Sequence, residues 1–159
     1  MLYAVNGDDA QGPTLLTVSQ VTGNATVVGQ IAGGSHDFAG LAFDNTGQLY
    51  AVDRVTNALW KIDKNNPSGP GTVQVGPSFG GGIVMGDDGG MTNDAASNVY
   101  YCYAGGSRHL FTVDLATGAP TVLHQFGAAD PTFLSLAYPG EFATAGRSTG
   151  WGALKARYR

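Results

Sequence analysis

One cysteine, Cys102, stands in a chain of 159 residues. That count excludes a disulfide framework, a CxxC redox pair and a cysteine-ligated zinc site, and it leaves Cys102 as an inert strand residue. Glutamate is equally scarce, with Glu141 alone near the end of the sequence. Only 13% of residues are charged, against roughly 25% in ordinary soluble domains. Eight basic residues face twelve acidic ones for a net charge of −4, so the basic surface that nucleic acid requires is lacking. No apolar run reaches the roughly 18 residues of a membrane-spanning helix. No signal peptide is read ahead of the first strand, and no window spaces its apolar residues at the helical period.

What is present is glycine, 25 residues of it, and repetition. Leu2-Tyr3-Ala4-Val5-Asn6 returns as Leu49-Tyr50-Ala51-Val52-Asp53 and, more loosely, as Val99-Tyr100-Tyr101-Cys102-Tyr103. The copies start at residues 2, 49 and 99, intervals of 47 and 50, which is the spacing of a repeat protein. A second phrase trails each copy, as Leu15 to Val18, Leu59 to Ile62 and Leu110 to Val113. A third follows at Thr26-Val27-Val28, Thr72-Val73 and Thr121-Val122. The fourth leads into the next copy, as Gly40 to Asp44, Gly90 to Asp94 and Leu134 to Tyr138.

Each phrase alternates or clusters β-branched, aromatic and aliphatic residues over a few positions and closes on Gly, Pro, Asn or Asp, the pattern of short strands. Four short strands per period describe one blade of a β-propeller. The fold class expected is therefore all-β, a β-propeller-type array of about three four-stranded blades, incomplete as a single chain. Asn45-Thr46-Gly47, Thr22-Gly23-Asn24 and Thr117-Gly118-Ala119 supply the turn residues of its hairpins. The blades run over about 1–40, 41–90 and 91–133, with a fourth begun at 134–146, where Glu141 to Ala145 would partner the new strand. Residues 147–159 hold four of the eight basic residues together with Trp151, Leu154 and Tyr158. They read as a basic tail or a final strand covering an open blade face.

Gly40 to Asp53, followed by Leu59 to Asp63 and Thr72 to Gly76, resembles the bacterial propeller repeats related to the NHL and SMP-30 groups. The likeness extends over roughly residues 1–146. It implies the fold; such repeats serve adhesion, scaffolding, sugar binding and hydrolysis alike. An SMP-30-like protein would be a metal-dependent lactonase with an acidic ligand set on the channel floor. Only Asp37, Asp87 or Asp88, and Asp130 qualify for that set, and no glutamate matches it.

In a propeller the loops leading into the innermost strands share a face with the turns between second and third strands. Asp37, Asp87, Asp88 and Asp130 lie on the former, while Asp8, Asp9, Asp53, Arg54, Arg108 and His109 lie on the latter. Converging carboxylates would suit Ca²⁺ or the hydroxyls of a sugar. The expected role is the plainer one, turns that aspartate closes through its own side chain. The ligand-binding candidates are Asp37, Asp87, Asp88, Asp130, Asp53 and Arg54. His36, His109 and His124 are scattered, and no nucleophile–base pair follows from the spacing.

The expected function is a non-catalytic structural or interaction module, extracellular or at the cell surface, that contacts other proteins or its own copies as a homo-oligomer or filament. A carbohydrate- or Ca²⁺-binding lectin-like propeller is the alternative, and an SMP-30-like hydrolase the third. No cofactor is expected unless Ca²⁺ binds. About three and a half blades do not close an ordinary ring, so either copies complete one together, by addition of the Leu134 to Tyr138 strand of one copy to the Leu2 to Val5 edge of another, or the chain is a piece of something longer, or it stacks into an open, extended assembly. Leu41, Phe43, Leu49, Ala51, Leu59, Ile62, Leu110 and Val113 are the expected core.

Overall fold

The computed structural model describes residues 1–6, 12–32, 34–87, 89–94, 99–130 and 136, without the side chains of Val99 and Tyr101. Eleven strands and no helix occur among these residues. They are β1 (Leu2–Asn6), β2 (Thr14–Val18), β3 (Ala25–Gln30), β4 (Phe38–Phe43), β5 (Leu49–Asp53), β6 (Ala58–Ile62), β7 (Val73–Val75), β8 (Gly89–Asp94), β9 (Val99–Ala104), β10 (His109–Val113) and β11 (Pro120–Gln125). Three antiparallel sheets result, ordered β1-β2-β3, β4-β5-β6-β7 and β8-β9-β10-β11. Each is a meander of sequence neighbours, so every phrase of the repeat holds the same place in its own sheet. The array is all-β and propeller-type, with the first sheet one strand short of the other two among the described residues.

The repeat is also a repeat of pairing. Leu49 faces Ile62 and Ala51 faces Trp60 across β5 and β6; Cys102 faces Phe111 across β9 and β10. The hairpins close on side chains that replace backbone partners: Asp44 Oδ1 accepts from the N–H groups of Thr46 and Gln48, at 2.9 and 2.8 Å. Asp114 Oδ1 does the same for Ala116 and Thr117, at 3.0 and 2.8 Å. These hydrogen bonds hold both carboxyls below the ordinary carboxylate range, in Asp44 against an opposing effect of burial. Aspartate as a turn former is therefore an observed device of this chain.

Because side chains of a strand alternate between faces, the middle sheet can feed two cores at once. All five residues of β5 are buried. Leu49 and Ala51 pack with Leu15, Ile31 and Ile62 toward the first sheet. Tyr50 and Val52 pack with Leu59, Met91, Tyr100, Cys102 and Phe111 toward the third. Burial drives the Cys102 thiol pKa upward, which suits an unreactive packing residue.

Of the expected core, Leu49, Ala51, Leu59, Ile62 and Val113 are buried. Leu41, Phe43 and Leu110 are only half-buried, a correction with a positional cause. Leu110 occupies the place in β10 that Leu59 occupies in β6. Leu59 has the third sheet against it, whereas no sheet among the described residues lies beyond the third. Leu41 and Phe43 sit at the rim of the smaller core, partly covered.

Neighbouring sheets also meet backbone to backbone. A Cβ built on Gly40 would lie 2.3 Å from the Met91 nitrogen, so β4 and β8 approach as closely as glycine allows. At the outer seam Gly76, with φ of +69°, would place a Cβ 1.9 Å from the Thr117 carbonyl oxygen. Alanine at Gly76 meets both a disfavoured dihedral and a backbone collision. Gly76→Ala should therefore lower stability by about 1–3 kcal/mol, read from the denaturation midpoint; a change within error would mean that the seam is loose.

Candidate functional site

The turn between β5 and β6 and the loops leading into β4 and β8 come together at one end of the array. Asp53, the last residue of β5, is fully buried there. Its Oδ2 lies 3.0 Å from Nδ1 of His36 and accepts from the Thr56 hydroxyl at 2.6 Å and the Thr56 N–H at 2.9 Å. Its Oδ1 accepts from the Asp37 N–H at 2.8 Å. The Thr56 hydroxyl oxygen in turn accepts from Trp60 Nε1 at 2.9 Å. The His36 ring is stacked against Phe38 and meets Trp60 edge-on, with centroids 5.3 and 4.3 Å apart. Burial alone would raise the Asp53 pKa. The hydrogen bonds from Thr56, His36 and Asp37 together outweigh it and hold the carboxyl below the usual carboxylate range.

Arg54 follows immediately and turns outward. Its guanidinium pairs with Asp37 on one side and with Asp87 on the other, tying the β4 loop to the β8 loop. Asp87 is 85% exposed and Arg54 41%, so each pair contributes at most about 1 kcal/mol. The alternating directions of a turn thus separate two neighbours chemically. Asp53 is part of the interior, and Arg54 is part of the surface.

Asn57 was not singled out by sequence, yet it organises the loop into β8. Its φ of 51° is left-handed, and its side chain reaches three backbone groups. Nδ2 donates to the carbonyls of Phe79 and Ile83 at 3.2 and 2.8 Å, and Oδ1 accepts from the Met85 N–H at 2.8 Å. Arg108 holds the matching place before β10, again with positive φ, 56°. Its guanidinium donates to the carbonyls of Gly127 and Asp130. Phe79 N–H donates to Asn57 O and Phe126 N–H to Arg108 O, at 2.7 and 2.9 Å. Asparagine tolerates the left-handed region, and that was the one local signal available for Asn57.

Of the sequence candidates, Asp37, Asp53, Arg54 and Asp87 are brought together. Asp130 is not joined to them: its Oδ2 accepts from the Gly127 N–H at 2.6 Å, closing its own turn. Asp88, Asp8 and Asp9 lie outside the described residues. His109 is buried, with Nδ1 2.8 Å from the Ser107 hydroxyl, and His124 is exposed on β11. Among the described residues no three His, Cys, Asp or Glu side chains are grouped as a metal would need. What the arrangement does chemically is fix two loops to a turn. If its carboxylates are structural, a chelator should leave the melting curve unchanged; a lower melting temperature that Asp87→Asn abolishes would make them Ca²⁺ ligands.

No protein-family model matches the chain, and no curated protein matches it. Among solved structures, the crystal structure of a protein from Lactobacillus plantarum is similar over 75% of this chain, with a TM-score of 0.45 and 20% sequence identity. The chain spans 34% of the length of that protein.

Proposed function

We propose that the chain is a non-catalytic interaction module that associates through its outer strands with other proteins or with its own copies. One observation carries this reading. Among the described residues β3, β7 and β11 stand last in their sheets, and the third phrase of the repeat leaves Val27, Val73 and Val122 exposed there, at 66%, 44% and 43%, with Leu123 at 50% beside the last. Unpaired strand edges carrying β-branched residues are templates for strand addition. Soluble proteins ordinarily blunt such edges with charge, and these edges carry none on the residues of β3, β7 or β11 beyond the titratable His124.

The engagement of Asp53 by His36 and Thr56, and of Asp37 and Asp87 by Arg54, supports this reading over a lectin-like site or an SMP-30-like hydrolase. Few charges and many glycines suit a turn-dense surface outside the cell or on it, where the module is proposed to act. Hydrogen exchange at low and high protein concentration tests the proposal. Amides of β3, β7 and β11 should gain protection on concentration, while equal exchange at both concentrations would reject association through these edges.

A further inference from the structure

Short length, proline and charge are three devices that keep a strand edge from pairing with another chain, and the three outer strands use them unequally. β7 has three residues, lies between Pro70 and Pro77, and is followed by Gly76, packed on the Thr117 backbone of the third sheet. β11 opens on Pro120, which has no N–H to offer, and carries the titratable His124. β3 has none of the three. It runs six residues, Ala25–Gln30, without proline or a charged side chain. The whole stretch 10–35, which includes its hairpin partner β2, lacks Asp, Glu, Lys, Arg and His. A bulge is a further device, but β3 and β11 share it, at Leu15/Leu16 and at Leu110/Phe111 of their partner strands.

The part of β3 before its bulge is the accessible part. Ala25, Thr26 and Val27 are all exposed, and among the described residues no strand pairs with β3 on its outer side. Val27 faces Leu16 across the hairpin and Ala25 faces Val18. One face of β2 and β3 therefore presents apolar side chains up to the edge.

We propose that β3 is the edge on which a second copy of this chain docks first, antiparallel, β3 on β3. The occupant follows from charge. An antiparallel pair of identical strands is its own complement about a two-fold axis, and two copies of residues 10–35 bring no charge to the junction. No ion is desolvated without a partner there, and no like charges stand opposite each other. The edge of another protein ordinarily carries charge, which would find no counter-charge on β3. Thr26 and Val27, both β-branched, suit the joined sheet. The inference rests on the association proposed above and narrows it to one edge and one partner, with β7 and β11 joining only at higher concentration.

Single variants of the full chain, sedimented over a concentration series, test it. Val27→Lys should raise the concentration of half-association at least tenfold, while Val73→Lys and Val122→Lys, at the same place of the phrase, should shift it less than twofold. Thr26→Cys and Thr121→Cys give a readout without lysine, each adding an exposed thiol at one phrase position while the native Cys102 stays buried. A two-fold centred on the exposed segment sets residue 26 opposite its own copy, within disulfide reach. Mild oxidation should then link two copies through residue 26 at least tenfold faster than through residue 121. A Val27→Lys chain that associates like the wild type, or equal linking through residues 26 and 121, would overturn the choice of β3 and leave association through the other outer strands standing. A wild-type chain that stays single at every concentration would overturn this inference and the association it rests on together.

Discussion

Asp53→Ala should cost about 3–5 kcal/mol of folding stability, the range for removing one member of a buried, hydrogen-bonded charged network. The Thr56 hydroxyl and N–H, the Asp37 N–H and the His36 ring all direct hydrogen bonds at this carboxylate. With alanine they are left facing a cavity in a site closed to water, and each unpaired buried donor costs about 1–3 kcal/mol. The outward Arg54→Ala substitution, one residue later, should cost no more than about 1 kcal/mol. A comparable loss from both would mean that exposure, not the network, decides the stability of this turn.

The same carboxylate gives the fold an acid dependence of known sign. Its folded pKa is depressed, so its stabilisation is present above the unfolded value of roughly 3.9 and is lost as pH falls through the lower folded value. Stability measured between pH 6 and pH 2 should therefore fall at the acid end. Asp53→Asn should flatten part of that fall, since asparagine has no proton to take up there. A wild-type curve flat to pH 2 would contradict the assignment.

Phe111→Ala should lower stability by about 3–5 kcal/mol, as for a large aromatic removed from a filled core. Phe111 is fully buried between the second and third sheets, with the Phe79 ring edge-on at 5.2 Å. Both sheets lose contacts at once, and the flanking Leu59, Cys102 and Val113 belong to strands that have little room to close the gap. Leu110→Ala, at the adjacent residue, should cost clearly less because its side chain faces away from that core. Equal losses at Phe111 and Leu110 would show that the register of β10 is misplaced by one residue.

Much of the fold was legible because its signals are local. Leu2 to Asn6 and Leu49 to Asp53 became β1 and β5, and the turn residues Asn45 to Gly47 closed the hairpin they suggested. Burial was less legible, since Leu59 and Leu110 hold identical places in the phrase and differ only in what packs against them. The loop face was half legible. Sequence put Asp37, Asp53, Arg54 and Asp87 on one face but carried no sign that Asp53 turns inward. That depends on His36, 17 positions upstream, and on a threonine three positions on. Asn57 was missed because its partners lie 22 to 28 residues away, a separation at which no short motif speaks.

Light scattering of the wild-type chain beside Val27→Lys/Val73→Lys/Val122→Lys tests the interaction reading most directly. Lysine at these exposed edge positions adds charge without disturbing either core, and edge charge is the usual bar to strand addition. The account predicts that the wild-type mass rises with concentration above that of one 16.3 kDa chain, while the folded triple variant stays at the mass of one chain throughout. A wild-type chain that remains at that mass at every concentration, or a triple variant that associates as readily as the wild type, would contradict it.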